Sequence, residues 1–333
     1  MFDVLARLGR GTAGAADPDG DVAPPARLPK IGLVLGGGAA RGWAHIGVLR
    51  ALDKVGYKPD IIAGTSIGAV VGGCYAAGRL DELEDWARSL TRRRVFSLLD
   101  LSFTGTGILG GSRLRDALEK NLDGLDIEDL PMGYVAIATE IATGHEVWLT
   151  RGRLVEAMRA SYALPGLLEP VRVGGRWLMD GAMVNPVPVS AARALGARMV
   201  IAVNLHADVY GRGAVVPSHG TDEDDIAAIG QWRARRETSL RDMRGRAALR
   251  RALHAHVDGA PGIPTVMNEA YNITQDRIAR ARLAGDPPDV AVLPKLGHVG
   301  LFEFHRAAEA IAIGAEAVER AIGDIVETAR VLA

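Results

Sequence analysis

The 333-residue sequence has a single cysteine, few aromatic residues and no excess of either charge. Cys74 cannot form an internal disulfide and lies in a run of small apolar residues, so we predict a packing role in a reducing compartment. Lysine plus arginine number 39 and aspartate plus glutamate 40, which gives a formal net charge of -1. This balance does not favour a nucleic-acid partner, and any attraction to a charged surface must be local.

The sequence also lacks an apolar run that is typical of a membrane-spanning helix. Residues 61–78 carry no charge, but five glycines and a Thr-Ser pair dilute their hydrophobicity. The flanking Pro59 and Arg79 instead suit a buried strand, a turn and a helix. Residues 1–29 have neither the basic segment nor the long apolar segment of a secretory signal, so we expect a disordered or loosely attached leader. These absences predict a cytoplasmic protein that is soluble or peripheral on the inner face of the membrane.

Short apolar runs alternate with helical patterns along the first half of the chain. Predicted buried strands at residues 30–37 and 59–64 are each followed by a helix, which is typical of an α/β fold with a mainly parallel central sheet. A later alternating segment, residues 171–181, turns at a Gly-Gly pair as a β-hairpin does. Asp180 is therefore predicted at the end of the second strand of that hairpin.

No linker in the sequence is clear enough to divide the chain into two domains. We predict one domain, residues 30–333, with an arginine-rich helical insertion at about 207–262. The arginines of that helix are Arg233, Arg235, Arg236, Arg241, Arg244, Arg246, Arg250 and Arg251. Such charge favours a solvated face or a contact between the subunits of a homo-oligomer. The alternative is a mobile lid or a transient contact with anionic head groups at a membrane surface.

The stretch GTSIG, residues 64–68, places Ser66 between two glycines where a predicted strand passes into a predicted helix. The pattern G-x-S-x-G at such a junction is typical of a nucleophile elbow, in which a sharp turn exposes the serine hydroxyl above the sheet. Glycine-flanked serines also occur in ordinary tight bends, which is the structural alternative. The strand before Ser66 and the helix after it favour the nucleophile.

A second glycine-rich stretch, LGGGAARG at residues 35–42, also lies between a strand and a helix. Backbone N–H groups at such a turn bind negative charge, since they lack partners and the helix dipole adds to them. A dinucleotide-binding loop requires a third glycine where Arg41 stands, and a phosphate loop requires a terminal Gly-Lys pair. The pattern therefore favours an oxyanion hole formed by the amides of Gly37, Gly38 and Ala39.

A nucleophilic serine needs a neighbour that takes its proton, and histidine is the usual one. No histidine follows a predicted strand beside another catalytic signature; those weighed are His45, His145, His254, His256, His298 and His305. Asp180 directly follows a strand, and ligands of α/β sheets bind at the carboxyl ends of strands. No Cys/His cluster indicates a metal, so we expect neither a metal nor a cofactor.

Four stretches in this order resemble the patatin-like phospholipases: GGGAARG, GTSIG, RASYALPGLLEP and DGAMVNPVPV. The segment at residues 272–307 is similar to the bacterial branch related to neuropathy target esterase. The resemblance extends from about Lys30 to Ala308. It implies a three-layer α/β/α sandwich and a serine enzyme that hydrolyses acyl esters of phospholipids or lysophospholipids.

Transferred to this sequence, the resemblance implies a Ser-Asp dyad with Ser66 as nucleophile and Asp180 as base. It also implies the Gly37, Gly38 and Ala39 amides as the oxyanion hole. Alanine replaces the third glycine usual in the family, and we expect it to serve if its φ stays negative.

The resemblance further gives Arg41 the place of the family's loop arginine, which implies support of the loop or of an anionic head group. Two alternatives to the lipid acyl hydrolase stay open. The same site would serve a thioesterase or acyltransferase on acyl-CoA. A regulatory protein with a vestigial site, or a nucleotide binder that uses the glycine loop, belongs to another class.

Overall fold

The computed structural model describes residues 28–98, 112–122, 124–207 and 263–333. All but the last two residues of the predicted leader lie outside these ranges. The arginine-rich insertion predicted at about 207–262 also lies outside them, apart from its first residue.

Among the described residues, eight strands form one sheet. They are β1 Ile31–Leu35, β2 Ile61–Thr65, β3 Gly133–Glu140, β4 Glu146–Leu149, β5 Val171–Val173, β6 Arg176–Asp180, β7 Met199–Val203 and β8 Val290–Val292. Their order is β5-β6-β3-β2-β1-β7-β8, and β4 also pairs with β3. The central pairs are parallel, whereas β4, β5 and β6 are antiparallel to their partners. The predicted mainly parallel sheet is confirmed.

The helices of the described ranges lie on both sides of this sheet. They are α1 Ala44–Lys54, α2 Ile67–Ala76, α3 Leu80–Arg88, α4 Arg92–Leu98, α5 Ser112–Leu122, α6 Leu154–Tyr162, α7 Val189–Ala194, α8 Ile263–Gly285 and α9 Ala307–Leu332. A 3₁₀ helix, Ala39–Trp43, precedes α1. None of these helices is long and apolar enough to cross a membrane.

Side chains that alternate along the strands enter two separate cores. Leu33 and Leu35 of β1 belong to the larger core, which includes residues of α1, α2, α6 and α9. Val34 belongs to the smaller core on the opposite face, with residues of α7 and with Ala279 and Leu283 of α8. Because each face of the sheet carries its own helical layer, the fold is the three-layer α/β/α sandwich that the family resemblance implied.

Cys74 lies within α2 and is buried in the larger core, as expected. Burial raises the pKa of its thiol to about 12, so the thiol stays protonated and unreactive at neutral pH.

The pairing of β3 brings the ends of two other strands together. Ile137 lies opposite Thr65, the last residue of β2, and Ala138 lies opposite Asp180, the last residue of β6. β4 pairs with the same stretch of β3 and occupies its other edge, so β2 and β6 follow one another along a single edge. The carboxyl ends of β2 and β6 therefore meet, which places Ser66 beside Asp180.

Candidate active site

Ser66 occupies the sharp turn between β2 and α2, with a φ of 57° and a ψ of −124°. Such strained backbone costs on the order of 1–3 kcal/mol and is concentrated at functional sites. The flanking glycines are required because there is no room for a side chain at either position. A Cβ on Gly64 would overlap the backbone of α2, and a Cβ on Gly68 would overlap the carbonyl of Leu35. This is the geometry of a nucleophile elbow.

The Ser66 hydroxyl donates to a carboxylate. Its Oγ lies 2.7 Å from Oδ2 of Asp180, and both residues are buried. The other carboxylate oxygen, Oδ1, accepts the N–H of Ala182 at 2.8 Å. The main chain of Asp180 is held as well, because its N–H donates to Ala163 and its carbonyl accepts from the Thr139 hydroxyl. The structure thus brings together the residues predicted as nucleophile and base.

Burial raises the pKa of Asp180 from 3.8 to about 6, and hydrogen bonds from Ala182, Ser66 and Tyr271 oppose this rise. A carboxyl group with this pKa is mostly ionised at neutral pH, yet it is a stronger proton acceptor than an exposed aspartate. General bases are most effective when their pKa lies near the working pH. The surroundings of Asp180 therefore suit it to accept a proton from a hydroxyl group.

The glycine loop approaches Ser66 from β1, but it does not offer all three predicted amides. The Gly37 N–H donates to the carbonyl of Pro186 at 3.0 Å. The fold already uses this N–H, which corrects the expectation that Gly37 contributes to an oxyanion hole. Within the part of the chain that the structure describes, the N–H groups of Gly38 and Ala39 have no acceptor. Two of the three predicted amides therefore remain for a substrate oxygen.

Ala39 and Arg41 also refine the expectations. The φ of Ala39 is 49°, so the expectation of a negative φ, on which its predicted role depended, is wrong. Left-handed backbone costs a non-glycine residue only about 1–2 kcal/mol, so the fold can tolerate alanine at this position. Arg41 is buried, and its Nε donates to the carbonyl of Val299 at 2.8 Å. Of the two roles implied for Arg41, support of the loop fits this burial, whereas contact with a head group requires exposure.

Two buried histidines lie next to the glycine loop. The Nε2 of His45 is 2.8 Å from the carbonyl of Gly36, and the ring must be the donor because a carbonyl only accepts. Burial lowers the pKa of His45 to about 4 and that of His206 to about 4, so both rings are neutral at pH 7. A hydrogen bond to the backbone of Gly37 opposes the fall for His206. The His45 ring thus holds the loop through the carbonyl of Gly36.

None of the histidines in the described ranges is a hydrogen-bond partner of the Ser66 hydroxyl. His145 lies near Glu140, His298 contacts Glu309, and His305 contacts Arg92. His254 and His256 lie outside the described residues. In the same ranges, no three His, Cys, Asp or Glu side chains are arranged as metal ligands.

Two residues that the sequence analysis did not single out complete the site. The Ser161 hydroxyl accepts the N–H of Ser66 at 2.8 Å, and the Tyr271 hydroxyl donates to Oδ2 of Asp180 at 3.3 Å. Ser161 belongs to the stretch RASYALPGLLEP, so the family resemblance was a usable signal for it. Tyr271 lies on α8, and no local pattern shows that α8 returns to the carboxyl ends of β2 and β6.

An apolar cavity of about 150 Å³ opens beside the dyad. Ser66, Asp180 and Tyr271 lie in its wall, and Asp180 is the only charged residue among the described residues that line it. The apolar lining includes Val70, Leu83, Trp86, Leu90, Leu118, Leu164, Leu167, Leu168 and Phe304. A cavity of this composition accepts an uncharged hydrocarbon group next to the serine hydroxyl.

Comparisons with known proteins give the same family as the resemblance. A family model for the patatin-like phospholipases matches residues 33–193. An uncharacterized NTE family protein of Mycobacterium tuberculosis is 37% identical over 321 residues, and the alignment covers 86% of this chain and 89% of that protein.

Mammalian relatives match a shorter part of the chain. The patatin-like phospholipase domain-containing protein 7 of Rattus norvegicus is 38% identical over 182 residues, 53% of this chain and 13% of that protein. The solved structure of VipD from Legionella pneumophila aligns at 14% identity with a TM-score of 0.36, over 89% of this chain and 77% of that one. The long mycobacterial alignment and the family model decide the assignment. The chain belongs to the patatin-like phospholipase family, in the branch of the NTE (neuropathy target esterase) proteins.

Proposed function

We propose that this protein is a serine acyl ester hydrolase that acts on phospholipids or lysophospholipids through a Ser66–Asp180 dyad. The observation that carries the proposal is the 2.7 Å hydrogen bond between Ser66 Oγ and Asp180 Oδ2. Ser66 makes this bond from a strained turn between a strand and a helix. A regulatory protein with a vestigial site has no need to keep this strain. Unused strain is a stability cost with no compensating function.

In the first half of the reaction, Ser66 Oγ bonds to the ester carbonyl carbon while its proton passes to Oδ2 of Asp180. The carbonyl electron pair moves to oxygen, and the Gly38 and Ala39 N–H groups stabilise the resulting negative charge. Collapse of this intermediate breaks the ester bond. The leaving alcohol takes the proton from Asp180, and the acyl group stays on Ser66.

In the second half, water attacks the acyl-enzyme and gives its proton to Asp180, which has been returned to its ionised form. Collapse of the second intermediate breaks the bond between the acyl carbon and Ser66 Oγ, which takes the proton from Asp180 as the fatty acid leaves. The Ser66 hydroxyl and the ionised Asp180 are thereby restored. No step requires a metal, because the carboxylate and the loop amides supply the proton transfer and the charge stabilisation.

The apolar cavity supports a lipid as the substrate. A fatty acyl chain can enter beside Ser66 without placing charge against Asp180, while the charged part of the substrate stays outside the cavity. A lipid is delivered from a membrane or a micelle, so the proposal includes transient contact with a membrane surface on the cytoplasmic side. Co-sedimentation with anionic vesicles measures that contact. Phe302, which lines the cavity and is 41% exposed, offers apolar surface there.

A substrate panel tests the proposed reaction. Rates are measured for a long-chain lysophospholipid, a short-chain ester and an acyl-CoA of the same long chain. We expect the lysophospholipid to give the highest kcat/KM. A higher value for acyl-CoA would favour a thioesterase or acyltransferase. Absence of turnover together with absence of labelling by a fluorophosphonate would favour a binding or regulatory protein.

Replacing Val70 by phenylalanine is expected to discriminate against long acyl chains. Val70 follows Ser66 by one helical turn and lines the cavity, so a larger side chain there takes the space of the hydrocarbon. We expect the ratio of kcat/KM for a sixteen-carbon over a four-carbon ester to fall by about tenfold. Val70→Ala, which enlarges the cavity, is the matched control and should keep the long-chain preference. Equal losses for both esters in the phenylalanine variant would mean that the chain lies elsewhere.

A further inference from the structure

The side chain of Tyr271 reaches the dyad from a part of the chain that follows the insertion. Its hydroxyl lies 3.3 Å from Oδ2 of Asp180, the same oxygen that accepts the Ser66 hydroxyl at 2.7 Å. Tyr271 lies on α8, beyond the residues 33–193 that match the family model. The site is therefore built from two separate regions of sequence.

The buried side of α8 holds Tyr271 in this position. Asn272, Gln275 and Asp276 are buried although they are polar, and Ala279 enters the smaller core. Residues 271, 275 and 279 share one helix face because they are four residues apart. α8 thus presents its polar side to the site and is anchored through its apolar positions.

Tyr271 can only act as a donor toward Asp180. Burial and the Asp180 charge raise the pKa of Tyr271 well above its ordinary value of 10, so the phenol stays protonated. The carboxylate therefore receives donors at both oxygens: Ala182 at Oδ1, and Ser66 and Tyr271 at Oδ2.

We propose that Tyr271 is a positioning residue of the Ser66–Asp180 dyad, which fixes Oδ2 toward the serine hydroxyl and stabilises the ionised form of the carboxylate through its hydrogen bond. This inference rests on the proposed function, in which Asp180 acts as the base. A dyad has no histidine between serine and carboxylate, so the carboxylate itself must have both the right direction and the right protonation state. The single hydrogen bond from Tyr271 helps to orient the carboxylate and helps to keep it ionised.

The direction of the effect follows from the charge states. A donor to Oδ2 stabilises the ionised carboxylate relative to the neutral acid, so it lowers the pKa of Asp180. Without the hydroxyl, the pKa of Asp180 rises from its value of about 6 toward neutrality. The base is then protonated over more of the physiological range, and the rate falls first on the acid side.

The test is Tyr271→Phe, which removes the hydroxyl and keeps the ring in the cavity wall. We expect the acid limb of kcat/KM against pH to move upward by about one pH unit, with less than about a tenfold loss on the plateau above pH 8. The matched control is Tyr75→Phe, because Tyr75 makes a 2.7 Å hydrogen bond to the carboxylate of Asp53 away from the dyad. The control should leave the acid limb unchanged.

A second readout does not depend on turnover. In protein labelled with ¹³C at the aspartate carboxyl carbons, the Asp180 signal is assigned by its loss in Asp180→Asn, and its midpoint is followed with pH. We expect a midpoint near 6 in the natural protein and a higher one in Tyr271→Phe. An unchanged midpoint in a folded Tyr271→Phe protein overturns the inference. If no ester is hydrolysed but the midpoint shifts, the proposed function fails while the contact of Tyr271 with Asp180 stands.

Discussion

Replacing Ser66 by alanine is expected to reduce kcat/KM for ester hydrolysis by about a thousandfold or more, because the variant has no oxygen that can form the acyl-enzyme. Residual activity over the uncatalysed reaction would come from the loop amides and the apolar cavity alone. The measurement is initial-rate hydrolysis of the best ester from the substrate panel. Active-site labelling with a fluorophosphonate is the second readout and should disappear in the same variant.

The matched control for this change is Ser89→Ala. Ser89 is exposed, and its hydroxyl donates to the carbonyl of Trp86 and accepts from Arg94. Neither contact involves the dyad, so both activity and labelling should be retained. Thermal unfolding shows whether Ser66→Ala is folded. A folded Ser66→Ala protein that hydrolyses the ester at the natural rate would remove Ser66 as the nucleophile and leave the strained turn without an explanation.

Replacing Asp180 by asparagine is expected to reduce kcat/KM by about 10²–10⁴-fold, the usual contribution of a general base. An amide has nearly the same shape as the carboxylate but cannot accept the serine proton. The loss should be largest above pH 6, where Asp180 of the natural protein is ionised, and should shrink at lower pH as the natural protein loses its own base by protonation. Retention of most activity in a folded Asp180→Asn protein would show that another group takes the proton.

The same substitution should also change how stability depends on pH. The folded-state pKa of Asp180 is raised, from 3.8 to about 6, so the folded protein binds this proton more tightly than the unfolded chain does. The resulting stabilisation is complete below the unfolded pKa and is lost as pH rises through about 6. At one pKa unit per 1.4 kcal/mol, the loss is about 3 kcal/mol.

Asp180→Asn lacks this proton, so its free energy of unfolding relative to the natural protein should rise between pH 4 and pH 8. Chemical unfolding at both pH values measures the difference, and Asp53→Asn is a suitable control because Asp53 lies at the hydrogen bond with Tyr75 outside the site. An identical pH dependence in the natural protein and Asp180→Asn would mean that the pKa of Asp180 is not raised by folding.

The prediction of the dyad rested on two local sequence patterns, and the structure shows that each pattern reflects a steric or geometric constraint. Gly64 and Gly68 flank Ser66 because any larger residue would overlap neighbouring backbone atoms, so the requirement appears directly in the sequence. The hairpin alternation fixed Asp180 at a strand end in the same way. Neither pattern contains the distance between the two side chains, because that distance depends on the register of β3 with β2 and β6.

Two features of the oxyanion loop cannot be predicted from its local sequence. The sequence places consecutive amides at a turn, but it does not show that the Gly37 N–H is taken by Pro186, which is about 150 residues away in the chain. Nor does it show the left-handed conformation of Ala39. Both depend on which distant segment packs against the loop.

The sequence alone determined the alternation of strands and helices, the sharp turn at Ser66 and the strand end at Asp180, because spacing and steric limits between near neighbours decide them. Only the tertiary structure decided which loop amides stay available, how far burial raises the pKa of Asp180, and that Tyr271 reaches its carboxylate. These depend on long-range packing and on desolvation, which follow from contacts between segments that no local pattern contains.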